Sequence, residues 1–397
     1  MKRPLPLPPS LPRRHWLAAA ASSLLSACGG GLGVAGLPGT GGTGTLAVLP
    51  GTGGTGIFVT GPITGLGSIW VNGVRYDDSQ AQITLDGQPA SPSDLRVGMV
   101  VSLQGALDSA SQLGTAAVVD TWAIARGPVA AVGADRFHVN GMTLRVDAAT
   151  TWDGVAGLTA LTVGQRVAVW GLQSTSEGAD WTATRVTRLQ GSDTQIVTTG
   201  RVSNGTAVSL NGVSLINSPL GYSQGQLVCV TGTPTGSGQG LEVSHVRTLE
   251  AYRPPETPAE SPLQASLSGL VSALVGPWRF QVGTVVVDAT ALSATLGGTR
   301  LSVGQRVEVK GVWDGPLLKA SWVELQGLDK AKEVSIEARV EQFTSVADFV
   351  LRGQRCDASQ ARWSHGSPAQ LTLGVKLKVK GNKQGDVLWV TEAEFED

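Results

Sequence analysis

Leu161-Thr-Val-Gly-Gln-Arg-Val-Ala-Val-Trp-Gly171 decides how this chain is read. The stretch returns at residues 95–105, 301–311 and 371–381, with a degenerate copy at 221–232. Every copy keeps a glycine, a hydrophobic residue three positions on, another two after that, and a closing glycine. Strand geometry turns Val167 and Val169 to one face and Arg166, Ala168 and Trp170 to the other. In later copies the second face carries Arg306, Glu308 and Lys310, then Lys376, Lys378 and Lys380. One face is therefore expected to be core and the other mostly solvent. Five copies mean a small unit repeated.

Working outward, each copy belongs to a longer plan. A short β segment opens each unit, and a hairpin follows. Ile69-Trp-Val-Asn-Gly-Val-Arg-Tyr76, Phe137-His-Val-Asn-Gly-Met-Thr-Leu144 and Val208-Ser-Leu-Asn-Gly-Val-Ser-Leu215 place Asn-Gly between alternating apolar residues. That is a strong short-range hairpin signal, because both turn residues need positive φ. Units four and five have Val282-Gly283 and Arg352-Gly353 instead, and their turns are expected to differ. The second hairpin strand ends at Asp77, Asp147, Asn217, Asp288 or Asp357. Recurrent carboxylates invite a catalytic or metal role, but turn capping, with the side chain accepting a backbone N–H, is the simpler expectation. A loop then crosses to the organising stretch, and a last strand closes the unit.

Five short strands with an inside and an outside predict an all-β chain of five tandem small five-stranded OB-like β-barrels, without a proper helix between strands three and four. Small β-sandwich units are the alternative. The expected repeats span 61–125, 126–192, 196–249, 265–328 and 333–397. A proline-rich linker, 250–264, holds Pro254, Pro255, Pro258 and Pro262. Units of this size are marginal alone, so packing between neighbours is expected.

The first 60 residues are of another kind. Residues 1–28 combine Arg13 and Arg14 with an apolar run and Leu25-Ser-Ala-Cys28. A basic start, a short apolar core and a small-residue cleavage site make an export signal, not a membrane span. Leu-Ser-Ala-Cys resembles the lipobox of bacterial lipoproteins, which implies an acylated N-terminal Cys28. Gly29 follows it, where inner-membrane retention usually has aspartate, so the outer membrane is expected, facing the periplasm or the cell surface. Arg13-Arg14-His-Trp-Leu17 also resembles a twin-arginine export motif. Residues 29–60 repeat Pro-Gly-Thr-Gly-Gly-Thr-Gly and read as a flexible tether.

Gly61-Pro-Ile-Thr-Gly-Leu-Gly-Ser-Ile-Trp-Val-Asn-Gly-Val-Arg-Tyr-Asp-Asp78 and Asp94-Leu-Arg-Val-Gly-Met-Val-Val101 resemble domain-of-unknown-function family 5666, tandem β-domains of proteobacterial envelope lipoproteins. The resemblance covers most of 61–396. It implies architecture and location, and carries no activity or functional residues.

Composition narrows function. Charged residues are 15% and the net charge is -1, which argues against partners recognised mainly by charge, such as nucleic acid. Lys376, Lys378, Lys380 and Lys383 form a basic stripe, but residues 333–397 hold 8 Lys+Arg against 10 Asp+Glu, so a solvated strand face is expected. The three histidines beyond the signal, His138, His245 and His365, fall in different units, and no catalytic or metal motif or cofactor fingerprint emerges. Cys229 and Cys356 are expected to be separate free thiols. The expected function is a non-enzymatic, multivalent binding or scaffold protein, anchored in the membrane by lipid, with an envelope protein or polysaccharide as partner. Glycan binding is an alternative, because Trp (11) outnumbers Phe and Tyr together (9). Trp170, on the outward strand face, and Trp313, beside a turn, are its candidates, although tryptophans also plug barrel ends and pack between units. An enzyme with a site assembled between repeats is the second alternative.

Overall fold

A computed structural model describes residues 55–396, apart from 109, 176–179, 192, 206, 219–220, 237–239, 250–262 and 294–299. The export signal, Cys28, the tether up to residue 54 and most of the proline-rich linker lie outside the described residues.

The described chain is nearly all β. Repeat 1 holds β1 (Thr55–Leu66), β2 (Ile69–Val71), β3 (Val74–Asp77), β4 (Gln82–Leu85), β5 (Gln88–Ala90), β6 (Val100–Asp108) and β7 (Leu113–Thr121). Repeat 2 holds β8 (Ala125–Val132), β9 (Arg136–Val139), β10 (Met142–Arg145), β11 (Thr151–Asp153), β12 (Arg166–Gln173) and β13 (Asp180–Arg188). Repeat 3 holds β14 (Ile196–Asn204), β15 (Val208–Leu210), β16 (Val213–Ile216), β17 (Leu227–Pro234) and β18 (Gly240–Thr248). Repeat 4 holds β19 (Gln264–Leu274), β20 (Arg279–Val282), β21 (Val285–Asp288), β22 (Arg306–Asp314) and β23 (Leu317–Leu325). A short helix, α1 (Leu328–Lys332), leads to repeat 5, with β24 (Glu333–Ser345), β25 (Asp348–Leu351), β26 (Gln354–Asp357), β27 (Arg362–Ser364), β28 (Lys376–Gln384) and β29 (Val387–Phe395).

Each repeat closes into a five-stranded barrel by one pairing scheme. In repeat 2, β8 pairs β9, β9 pairs β10, β10 pairs β13 in parallel, β13 pairs β12, and β12 returns to β8. Repeat 4 closes in the same way through β19, β20, β21, β23 and β22. This is the OB order, in which the third and fifth strands run parallel. Where an OB fold carries a helix, repeats 1, 2, 4 and 5 each have a 3-10 turn, at Pro92–Asp94, Leu158–Ala160, Thr290–Leu292 and Pro368–Gln370.

The closing glycine of the repeated skeleton has a steric cause. The register shifts at Gly105, Gly171, Gly232, Gly311 and Gly381, where the last strand of the barrel carries one extra residue. A Cβ on any of these glycines would run into a carbonyl of that strand: Thr115, Thr182, Glu242, Lys319 or Trp389. A bulge bends the strand enough to close a small barrel, and the backbone approach leaves no room for a side chain.

The hairpin turns behave as their residue types require. Asn72, Asn140 and Asn211 take φ near +50° and are each followed by a left-handed glycine. The asparagine amide also ties the turn down. Asn72 Nδ2 donates to Thr60 O at 3.1 Å, Asn140 Nδ2 to Arg126 O at 2.8 Å and Asn211 Nδ2 to Thr199 O at 2.9 Å. In repeat 4 only Gly283 is left-handed, so that turn does differ. In repeat 5 Arg352 and Gly353 reproduce the left-handed pair (φ 49° and 69°), against the expectation that this turn would differ. Gly353 supplies most of the freedom, and tertiary contacts hold Arg352 in its strained conformation.

The barrels are fused, not strung out. β1 pairs in parallel with β19 at 57–60 and with β24 at 65–66, so repeats 1, 4 and 5 share one 18-stranded sheet system. β8 touches β14 at Arg126 and Val197, which joins repeats 2 and 3 in an 11-stranded one. β1 begins at Thr55, inside the segment expected to be tether. Its Ile57 and Val59 enter the core shared by repeats 1 and 5, while Phe58 enters the core of repeat 4. A strand buried on both faces needs a continuous apolar run, and Ile57-Phe58-Val59 is that run.

Candidate functional site

Most residues singled out in the sequence serve the fold. Asp77, Asp147, Asp288 and Asp357 each accept the backbone N–H two residues on, from Ser79, Ala149, Thr290 and Ser359. The hydrogen bonds from Thr290 hold the Asp288 carboxyl at about 2. Asn217 caps no such turn among the described residues and instead takes φ 52°. Cys229 and Cys356 are both free and buried, and burial pushes their thiols up to about 11 and about 12. His245 stacks on Trp122 with ring centroids 5.2 Å apart, and Arg247 lies over the same indole. That stack joins repeat 3 to the end of repeat 1, along with an Arg247–Asp120 ion pair at 3.1 Å. Among the described residues no group of three or more His, Cys, Asp or Glu could hold a metal ion.

Neither tryptophan candidate offers a free face. Trp170 does point away from its own barrel, but into repeat 1, where it is 4% exposed and donates from Nε1 to Thr121 Oγ1 at 3.1 Å. Trp313 is buried in the core of repeat 4. An outward strand face is outward only for an isolated barrel, and fusion turns it into an interface.

The expected basic stripe also divides. Lys376 and Lys378 lie within ion-pair distance of Glu337 and Glu394, at 3.2 and 3.8 Å. Lys383 belongs to the odd-numbered, core-facing set with Leu377 and Val379, and it is 3% exposed. Glu308, expected on a solvated face, is likewise buried. It accepts Gln326 Nε2 at 2.7 Å and sits 3.4 Å from Lys310 Nζ.

Glu308 and Lys383 are among the residues that line a cavity of about 510 Å³ where repeats 1, 2, 4 and 5 meet. Repeat 1 contributes Trp70, Asn72 and the Val97-Gly98 turn, and repeat 2 contributes Thr151 and Thr184. Arg306 and Glu308 come from repeat 4, and Lys380, Lys383 and Thr391 from repeat 5. The walls are braced by contacts between repeats. Arg306 pairs with Asp147 at 2.7 Å, Asn72 Nδ2 donates to Ser266 Oγ at 3.0 Å, and the buried Arg185 donates to Val97 O at 3.0 Å while pairing with Asp153. Arg352 of repeat 5 reaches Pro92 O of repeat 1.

Three of the lining residues carry a fully buried polar atom with no hydrogen-bond partner among the described residues: Asn72 Oδ1, which packs against Gly61, Thr184 Oγ1 and Lys383 Nζ. Thr184 is the most informative. It is the extra residue of the bulge in repeat 2, equivalent to Ser244, Ser321 and Thr391. Those three hydroxyls donate across the bulge to Thr231 O, Lys310 O and Lys380 O, each at 3.2 Å. The Thr184 hydroxyl does not make the equivalent bond. A buried polar atom without a partner costs about 1–3 kcal/mol, so each one in a native fold calls for a physical reason. Sequence reasoning missed this site because its residues come from four repeats. The one legible signal was Lys383, whose parity along its strand sets it apart from Lys376, Lys378 and Lys380.

No curated protein matches this chain. Residues 126–187 and 268–324, which cover most of repeats 2 and 4, match the family model described as Domain of unknown function (DUF5666), which is consistent with tandem DUF5666 repeats.

Proposed function

We propose that this chain is a non-enzymatic binding protein of the cell envelope, held at the outer membrane by lipid on Cys28, and that it takes up a hydroxylated small ligand, a saccharide unit, in the cavity among repeats 1, 2, 4 and 5. The observation that carries this reading is the wall itself. A half-buried indole, Trp70, lines a cavity of about 510 Å³ together with the polar residues Asn72, Thr151 and Thr184. Ligand pockets pair apolar lining with a few placed polar groups. An indole face suits the apolar side of a sugar ring, and ring hydroxyls both donate and accept. Fusion of the repeats favours one central site per chain over five equivalent ones. Acyl chains on Cys28 would anchor the protein at about 0.8 kcal/mol per buried methylene.

Titration calorimetry against a saccharide panel tests the binding reading. At least one saccharide should bind, and Thr184→Val and Trp70→Leu should each weaken it about tenfold, about 1.4 kcal/mol. Binding that neither substitution weakens, or no binding across the panel, refutes it. Labelled palmitate should be incorporated by the wild type and not by Cys28→Ser. Equal labelling refutes the anchor.

A further inference from the structure

Resting on that reading, we infer that the ligand is a linear oligosaccharide and not a single sugar: one unit sits against Trp70 in the cavity, and the chain runs on across the outer face of repeat 5 to Trp389 on β29. Strand pairing carries the argument. Trp70 on β2 is opposite Gly65 on β1, and Gly65 is opposite Ser335 on β24. Ser335 is opposite Lys380 on β28, and Lys380 is opposite Glu392 on β29. One row thus passes from repeat 1 into repeat 5 without a break. The adjoining row holds Glu333, Asn382 and Trp389. These side chains share the outer face, because the alternate residues Val334, Ile336, Val379 and Val390 lie in the core. A Cβ on Gly65 would stand 2.7 Å from the Trp70 ring, so the indole lies over bare backbone at that end of the row.

This floor is longer than the cavity. Trp70, Ser335, Lys380 and Asn382 line the cavity, whereas Trp389 stands one strand spacing beyond Asn382 and is 46% exposed. Glu333, Lys380, Asn382 and Glu392 are exposed as well, so the path to Trp389 is open to solvent. Four strand spacings separate the two indoles, roughly 19 Å across the sheet. Each unit of an extended hexose chain advances about as far as one strand spacing, so several units fit between them. An indole at each end suits the apolar faces of sugar rings, and the hydroxyl, amide, ammonium and carboxylate groups between them offer donors and acceptors to ring hydroxyls. Glu333 and Glu392 offset Lys380, which leaves the floor without the excess of positive charge that a polyanion such as single-stranded nucleic acid needs.

Calorimetry with cello- and chito-oligosaccharides of one, two and four units tests the inference, with oligothymidylate as the alternative occupant. We expect at least one tetrasaccharide to bind tenfold or more tighter than its monosaccharide. Trp389→Ala should cancel that gain with chain length and leave binding of the single sugar unchanged, whereas Trp70→Leu should weaken every length. A melting curve for each variant confirms folding. If affinity does not rise with length, or the rise survives Trp389→Ala, while Trp70→Leu still weakens binding, the extended site is overturned and the cavity reading stands. If oligothymidylate binds and no saccharide does, or if nothing binds, both fall.

Discussion

The turn at Val97-Gly98 and its counterparts at Val163-Gly164, Val303-Gly304 and Leu373-Gly374 have the same backbone and opposite surroundings. All four glycines are left-handed, with φ of 85°, 83°, 86° and 84°. Yet Val97 is 4% exposed, whereas Val163, Val303 and Leu373 are 67%, 50% and 66% exposed. In repeat 1 the turn is seated on repeat 2, with Arg185 donating to Val97 O, and it forms part of the cavity wall. In repeats 2, 4 and 5 the same turn projects into solvent. Local physics sets the shape of the repeat, and the neighbours decide whether that shape becomes a joint.

The largest test of this contrast is Gly98→Ala against Gly304→Ala. A Cβ at Gly98 would meet Thr184 O at 2.7 Å and Thr151 Oγ1 at 2.8 Å, whereas one at Gly304 meets nothing within 4 Å. Both substitutions pay for positive φ, at about 1 kcal/mol. Overpacking should bring the loss at Gly98 to about 3 kcal/mol. Urea midpoints measure both, and equal losses would break the contrast. Val97→Ala should cost about 2 kcal/mol, from lost burial. Val303→Ala should stay within about 0.5 kcal/mol, as an open surface position does.

The smallest expected effect has the opposite sign. Lys383 crowds Arg185, the residue that grips the Val97 turn, so Lys383→Met should stabilise the fold on the order of 1 kcal/mol at neutral pH. The sign follows from linkage. The folded-state value lies below the ordinary 10.5, so as pH falls from 10.5 the unfolded chain takes the proton first. Stability from this group therefore declines with falling pH until its folded value is reached, and stays low beneath it. Denaturation midpoints from pH 7 to 10 should rise more steeply in the wild type than in Lys383→Met. Parallel profiles would remove Lys383 from the joint.

Much of the barrel was legible because its requirements are local. Asn-Gly reads as a hairpin because two successive residues need positive φ, and the closing glycine marks a place where a carbonyl crosses within reach of any Cβ. The aspartates that end the hairpins could be recognised as turn caps from their spacing alone. Trp170 was placed on the correct face, but that face meets repeat 1 and not solvent. Ile57-Phe58-Val59 was hidden by the glycine-rich tether before it, although an unbroken apolar run signals a strand buried on both sides. The cavity was not legible, since Asn72, Thr184, Glu308 and Lys383 lie in four different repeats and no spacing rule links them.

The amino-acid sequence alone determined the unit: its strands, its tight turns, its closing glycine and its five-fold repetition. Those features follow from backbone sterics and side-chain alternation within a few dozen residues. Only the tertiary structure decided which identical-looking turn would be buried, which tryptophan would become a joint, and which lysine would lose its water. Burial is a property of neighbours, and in this molecule the neighbours are other copies of the same unit, brought together by parallel pairing along β1.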